Sequence, residues 1–129
     1  MIELDKLFWG PDLQPTPPGE WQAIQRDAAA GPCWVIDGDL GPRDSHLVER
    51  LAAADAIVIL EHSLLVCVWR AVRRSRENRE FWRRVLGYRS YSLPAIRAAI
   101  TSAGRGDAAR WLRNPADAER FLATTGAEG

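Results

Sequence analysis

At 129 residues the chain has the length of one domain with room for a real core. Its 26% charged and 47% hydrophobic residues stand near globular averages, which excludes a disordered chain as the expectation. The longest apolar run, Ala56 to Leu60, is far too short to span a bilayer, and Glu3 and Asp5 stand where a secretory signal would be basic. The expectation is a cytoplasmic protein without a membrane partner.

In chain order, Ile2 to Leu4 reads as a short core strand running into an anchored loop at Leu7-Phe8-Trp9. "GPDLQPTPPGEW" is loop by its prolines and glycines. Glu20 to Ala30 predicts a helix with Trp21, Ile24 and Ala28 on one face, stopped by Gly31-Pro32. "CWVID" predicts a buried strand ending at Gly38, and Ser45 predicts a cap for a helix from His46 to Ala54. "DAIVIL" is apolar without alternation, the pattern of a strand covered on both faces.

"SLLVCVWRAVRR" predicts a helix, apolar early and basic late. A break near Ser75 to Asn78 precedes a second helical stretch through Phe81, Trp82, Val85 and Leu86. Pro94 suits the first turn of a helix continuing through Ile96 and Ile100, and Gly104 and Gly106 end it. "ARWLR" predicts a strand, and "NPADAERFLAT" a helix capped by Asn114 with Phe121 and Leu122 inward. Cys33 and Cys67 sit among apolar residues, which fits a reducing compartment better than a disulfide framework. The six tryptophans, spread along apolar positions, read as core.

Strands alternating with helices predict one α/β domain over residues 1–129. The expected architecture is a three-layer α/β/α arrangement with a mostly parallel sheet of about four strands and right-handed crossovers.

Ligands in such sheets gather at the carboxyl ends of the strands. Asp5, Asp37 and Glu61 fall at predicted strand ends, where they could line one cleft for a substrate or for Mg²⁺ held through water. The ordinary alternative is that each accepts hydrogen bonds from nearby loop and helix N–H groups. Gly38, directly after Asp37, permits a close backbone approach, to a ligand or simply within a turn.

The formal net charge of zero conceals an asymmetry. Every cation except Lys6 is arginine, and eight of them lie between Arg70 and Arg89 against only Glu77 and Glu80. Arg70, Arg73 and Arg74 share a helix face, where guanidinium forks could clamp phosphates. A nucleic-acid backbone is a weaker alternative for the same arginines, and a solvated helix face is the ordinary one. His46 and His62 lack ligand-spaced partners, so no metal site built on histidine is expected, and no catalytic triad or dyad follows from spacing. A phosphate-cradling G-x-x-x-x-G-K-[ST] loop is absent from these 129 residues, since Lys6 is the one lysine and no glycine precedes it.

The ordered blocks "ELDKLFW", "WVIDGDL", "ERLAAADAIVILEHSLLVCVWRAVRR", "EFWRRVLGYR" and "WLRNPADAERFLA" span nearly the whole chain. Together they resemble bacterial P-loop kinase-like proteins of the adenylate-kinase-related type, the topology modulation proteins. That resemblance implies the three-layer nucleotide-kinase fold. It places Asp5, with Trp9 in the same substrate-side loop, near an acceptor pocket, and Asp37 and Gly38 at a strand end facing the phosphates. Arg70, Arg73 and Arg74 would lead into the lid, which is short here. The implied ligand is a nucleotide or phosphorylated small molecule.

Members of that family bind ATP through a first strand and Gly-rich loop that precede the "LDxLxW" block, whereas this sequence begins at the equivalent of the second strand. No cofactor is therefore expected for these residues, ATP and Mg²⁺ being implied only if that segment is supplied, and ATP-dependent phosphoryl transfer is not expected. The absent strand would lie centrally, between those of "CWVID" and "DAIVIL". Direct pairing of those two is the first expectation. A strand from a second copy or another partner is the alternative, and it would make the protein an interaction module.

Overall fold

The computed structural model describes residues 1–74, 82–83 and 86–126. The expected break near Ser75 to Asn78, with Phe81 and Val85 of the following stretch, lies outside them. Among the described residues the chain is mixed α/β, with six helices and four short parallel strands in two two-stranded sheets. Its elements are β1 (Ile2–Glu3), α1 (Leu4–Phe8), α2 (Pro18–Ala28), β2 (Ile36–Asp37), α3 (Leu47–Ala53), β3 (Ile57–Leu60), α4 (Leu64–Arg74), α5 (Leu93–Ser102), β4 (Ala109–Leu112) and α6 (Pro115–Gly126). They fall into two compact units, Met1–Ala54 with Ser90–Gly106, and Asp55–Arg89 with Asp107–Gly129. No described helix is long and apolar enough to cross a membrane.

In the first unit, β1 and β2 pair in parallel with Ile2 opposite Ile36. The predicted opening strand is shorter than expected: the chain turns helical at Leu4, which buries Leu4 and Phe8 on one side of α1. Those two join Trp21 and Leu40 in a core flanked by Trp9, Ile24 and Ile36. Phe8 meets Trp21 edge-on, with ring centroids 5.1 Å apart, the arrangement that ring quadrupoles favour. Burying each such side chain stabilises the unit by about 1.5–3 kcal/mol.

Pro18 stands in the first turn of α2, where its missing N–H costs nothing, and Trp21 and Gln25 form its buried stripe one turn apart. The proline-rich loop before α2 is tied down, with Gly10 N–H donating to Gln14 O and Thr16 N–H to Phe8 O, both at 2.9 Å. Leu93, Ile96, Ala99 and Ile100 form the buried face of α5, which packs on α3. Arg105 closes the end of α3 by donating to the Ala54 carbonyl, one of the groups a helix leaves unsatisfied.

In the second unit, β3 and β4 pair in parallel over four residues, Ile57 opposite Ala109 through Leu60 opposite Leu112. The expectation that "DAIVIL" is covered on both faces fails. Ile57 and Ile59 are buried, but Val58 and Leu60 are 44% and 56% exposed, so an unbroken apolar run hides a one-sided strand. The direct pairing expected between the "CWVID" and "DAIVIL" strands does not occur either. The paired strand is Ile36–Asp37, with Val35 O just before it accepting the Ile2 N–H at 2.7 Å, and Gly38 at φ 131° ends it.

The amino end of α6 is built as expected. Asn114 Oδ1 accepts the Asp117 N–H at 2.9 Å, and Asp117 Oδ2 accepts the Arg113 N–H at 2.9 Å, a reciprocal cap. Phe121 is half-buried, but Leu122 is 67% exposed and does not point inward as expected. The Arg113 backbone N–H, with further hydrogen bonds and the charge of Arg120, holds the Asp117 carboxyl below its ordinary value. A depressed carboxyl pKa stabilises above the unfolded value and is lost as pH falls through the folded one. Acidification below about pH 4 should therefore loosen the first turn of α6, read as faster amide exchange there. Asp117→Asn should exchange faster at neutral pH and lose that pH step.

Candidate functional site

The parallel register of β3 and β4 brings their carboxyl ends level. Glu61, just past β3, donates its N–H to Leu112 O at 2.9 Å, which fixes it beside Arg113 just past β4. The Glu61 carboxylate, 14% exposed, then meets two guanidinium groups. Arg113 Nε lies 3.7 Å from Oε2, and Arg89 Nη2 lies 3.9 Å from Oε1. The arginine side chains are 70% and 53% exposed. Such long, exposed ion pairs stabilise by only about 0–1 kcal/mol each. Glu61 serves them better as an anchor that keeps two forked donors at one strand end.

Among these three side chains the charges sum to plus one. Each guanidinium carries five N–H donors in a plane, and the contacts to Glu61 engage one nitrogen of each. This is the donor chemistry that phosphate and carboxylate groups fit. His62 follows Glu61, and its buried Nε2 has no hydrogen-bond partner. Ser63 Oγ accepts the Val66 N–H at 3.4 Å, so α4 starts from the same strand end. Among the described residues, no group of His, Cys, Asp and Glu is arranged to hold a metal.

Arg70 and Arg73 are exposed on α4; the Arg74 side chain lies outside the described residues. With a rise of about 1.5 Å per residue, Arg73 stands about 14 Å along the helix from Leu64. Its guanidinium lies 4.8 Å from the centre of the Trp69 ring, a cation–π contact. Trp69 is 59% exposed, and Leu65 and Val72 on the same stripe are 81% and 63% exposed. The expectation of six core tryptophans therefore narrows: Trp21 is the fully buried one among those described, and Trp69 is on the surface. Cys33, expected among apolar neighbours, is exposed, and both cysteines are free thiols.

The remaining candidate residues lie in the first unit. Asp5 is exposed and helical in α1, not at a strand end as expected, because β1 stops at Glu3. Asp37 is exposed at the end of β2. Trp9 is half-buried, edge-on to Phe8 at 5.0 Å, and Arg43 lies 5.4 Å from its ring centre. Gly38 abuts the core, where an added Cβ would come within 3.0 Å of Leu4 Cβ. Ser45, expected to cap α3, instead bonds His46 Nδ1 at 2.8 Å, and Asp44 Oδ1 accepts the His46 N–H at 3.4 Å.

Arg113 went unread as a site residue in the sequence. Its signal was a basic residue directly after the last strand, which becomes meaningful only once the register places it against Glu61. A groove of about 440 Å³ lies at the opposite end of the sheet, lined by Asp55, Ala56, Ala108, Arg110 and Phe121 among others. It is open and largely apolar, with Arg120 on its wall already paired to Asp117. Compared with family models, with curated proteins and with solved structures, the chain has no match in any of the three.

Proposed function

We propose that this chain is a nucleotide-kinase-like protein of the adenylate-kinase-related, topology modulation type, with the three-layer α/β/α plan of that fold. In this reading it binds a phosphate group, on a nucleotide or a phosphorylated small molecule, in the cytoplasm. The observation that carries the reading is the pair Arg89 and Arg113 held on Glu61 at the carboxyl ends of two parallel strands. Arg70 and Arg73 add positive charge along α4, and Arg74 belongs to the same basic run. Asp5, Trp9, Asp37 and Gly38 are the candidates for the acceptor side. The 129 residues contain no G-x-x-x-x-G-K-[ST] loop, so phosphoryl transfer from ATP by this chain is not part of the proposal.

Calorimetric titration of the 129-residue chain with inorganic phosphate, AMP and ADP tests the reading. Binding is expected, with Arg89→Ala and Arg113→Ala each weakening it about tenfold. Unchanged binding in the double variant, or none in the parent chain, would refute the site. Transfer of phosphate from ATP to any nucleotide would refute the assignment as a non-transferring protein.

A second reading, a non-enzymatic interaction module, is favoured by the exposed stripe Leu65, Trp69 and Val72 on α4, larger than isolated surface apolar residues explain. Nucleic-acid binding through the same arginines has no such support.

A further inference from the structure

The proposed phosphate site contains an anion of its own. The Glu61 carboxylate, 14% exposed, stands 3.9 Å from Arg89 Nη2 and 3.7 Å from Arg113 Nε. Hydrogen bonds from N–H to oxygen run from about 2.7 to 3.2 Å, so neither contact is one, and charge alone holds these pairs. Both guanidinium groups therefore keep N–H donors for a closer acceptor, and their side chains are 53% and 70% exposed. An oxyanion that takes donors from both arginines comes to rest beside a carboxylate.

That neighbour restricts which oxyanion fits. A carboxylate has two acceptor oxygens and no donor. It repels an anion that offers only acceptors, and a largely buried carboxylate is poorly screened by salt. It attracts an anion that brings a hydroxyl, because that O–H can donate to it in a short, charge-assisted bond. The next acid along, Asp117, does not change this balance, since it accepts the Arg113 backbone N–H at 2.9 Å and pairs with Arg120.

We infer that Glu61 makes the site selective for an oxyanion that keeps a proton. Inorganic phosphate carries one throughout the neutral range. Its bare oxygens accept from Arg89 and Arg113 while its O–H donates to Glu61. Sulfate has nearly the same size and the same tetrahedral shape but no proton, so it sets acceptor against acceptor at Glu61 and is rejected. A phosphomonoester brings the proton in its singly protonated form, its second pKa being about 6. This selectivity rests on the phosphate-binding reading and names its ligand class.

Calorimetric titration of the 129-residue chain with sodium phosphate and with sodium sulfate, at about pH 7 and one ionic strength, tests the inference. Phosphate should bind at least about tenfold more tightly than sulfate. Glu61→Gln removes the charge and supplies an amide N–H that sulfate can accept, so the two anions should bind it about equally. A Glu61 that only steadies the arginines would lower both affinities by one factor in that variant, and this result would overturn the inference. Equal binding of both anions by the parent chain would overturn it too, while leaving the phosphate-binding reading intact, and that measurement needs no variant to fold. Binding of neither anion would overturn both.

Discussion

Asp44→Ala should destabilise the first unit by about 3–5 kcal/mol, the cost of stranding a buried charge. The Asp44 side chain is 1% exposed and that of Arg50 10% exposed, and Arg50 Nη2 lies 2.6 Å from Asp44 Oδ2. Gln25 completes a closed ring, donating from Nε2 to Asp44 Oδ1 at 3.2 Å and accepting from Arg50 Nη1 at 2.6 Å. The ring ties α2, the turn before α3, and α3 itself into one body. Removing the carboxylate leaves a largely buried guanidinium that cannot lose its proton and keeps Gln25 Oε1 as its partner in the ring. Removing the whole ring is a different experiment. Gln25→Leu, Asp44→Leu and Arg50→Met together leave no orphaned charge and should cost far less than Asp44→Ala alone. Denaturant unfolding of the single and triple variants checks both halves. A loss of less than about 1 kcal/mol for Asp44→Ala would mean that water enters the ring and the charge is never stranded.

That ring had no signature in the sequence, because Gln25, Asp44 and Arg50 belong to separate elements and match no spacing rule. The order of elements was legible for the opposite reason: helices at α2, α4, α5 and α6 declare themselves through local periodicity, prolines and an asparagine cap. Strand extent was harder to read. "CWVID" ends at Gly38 as expected, yet the paired strand covers only Ile36 and Asp37, because β1 itself offers only Ile2 and Glu3 as partners before the chain turns helical at Leu4. Asp5 was displaced from a strand end to a helix because burial of Leu4 and Phe8 on one side of α1 outweighs the β-like look of Ile2 to Leu4. Unbroken apolar runs misled in one direction: Val58, Leu60, Trp69 and Leu122 looked like core and are surface. Of the candidate site, Glu61 and the arginine-rich segment were visible, whereas Arg113 needed the β3–β4 register to acquire a partner.

Gly38→Ala should cost about 2–4 kcal/mol, through backbone strain and a tight contact with the core. At φ 131° the backbone occupies a region that residues with a Cβ rarely enter, so Asn, which tolerates the left-handed helical well, should not rescue it. The new methyl would lie 3.0 Å from Leu4 Cβ and 3.6 Å from Leu4 N. Leu4 is fully buried in the cluster with Phe8, Trp21 and Leu40, so any shift that accommodates the methyl is passed to that core. Because the nearest atom is Cβ, Leu4→Ala leaves the obstacle in place. Added to Gly38→Ala, it should worsen stability by a further cavity cost of about 2–5 kcal/mol instead of relieving the first. Thermal or denaturant unfolding of both single variants and the double variant reads this directly. The result also separates two uses of the glycine. If Gly38 exists to let a phosphate approach the backbone after Asp37, Gly38→Ala should lower nucleotide affinity while leaving the unfolding midpoint unchanged. The contact with Leu4 predicts a large loss of stability, and nucleotide affinity measured in the fraction that remains folded tells whether the glycine also serves the acceptor side.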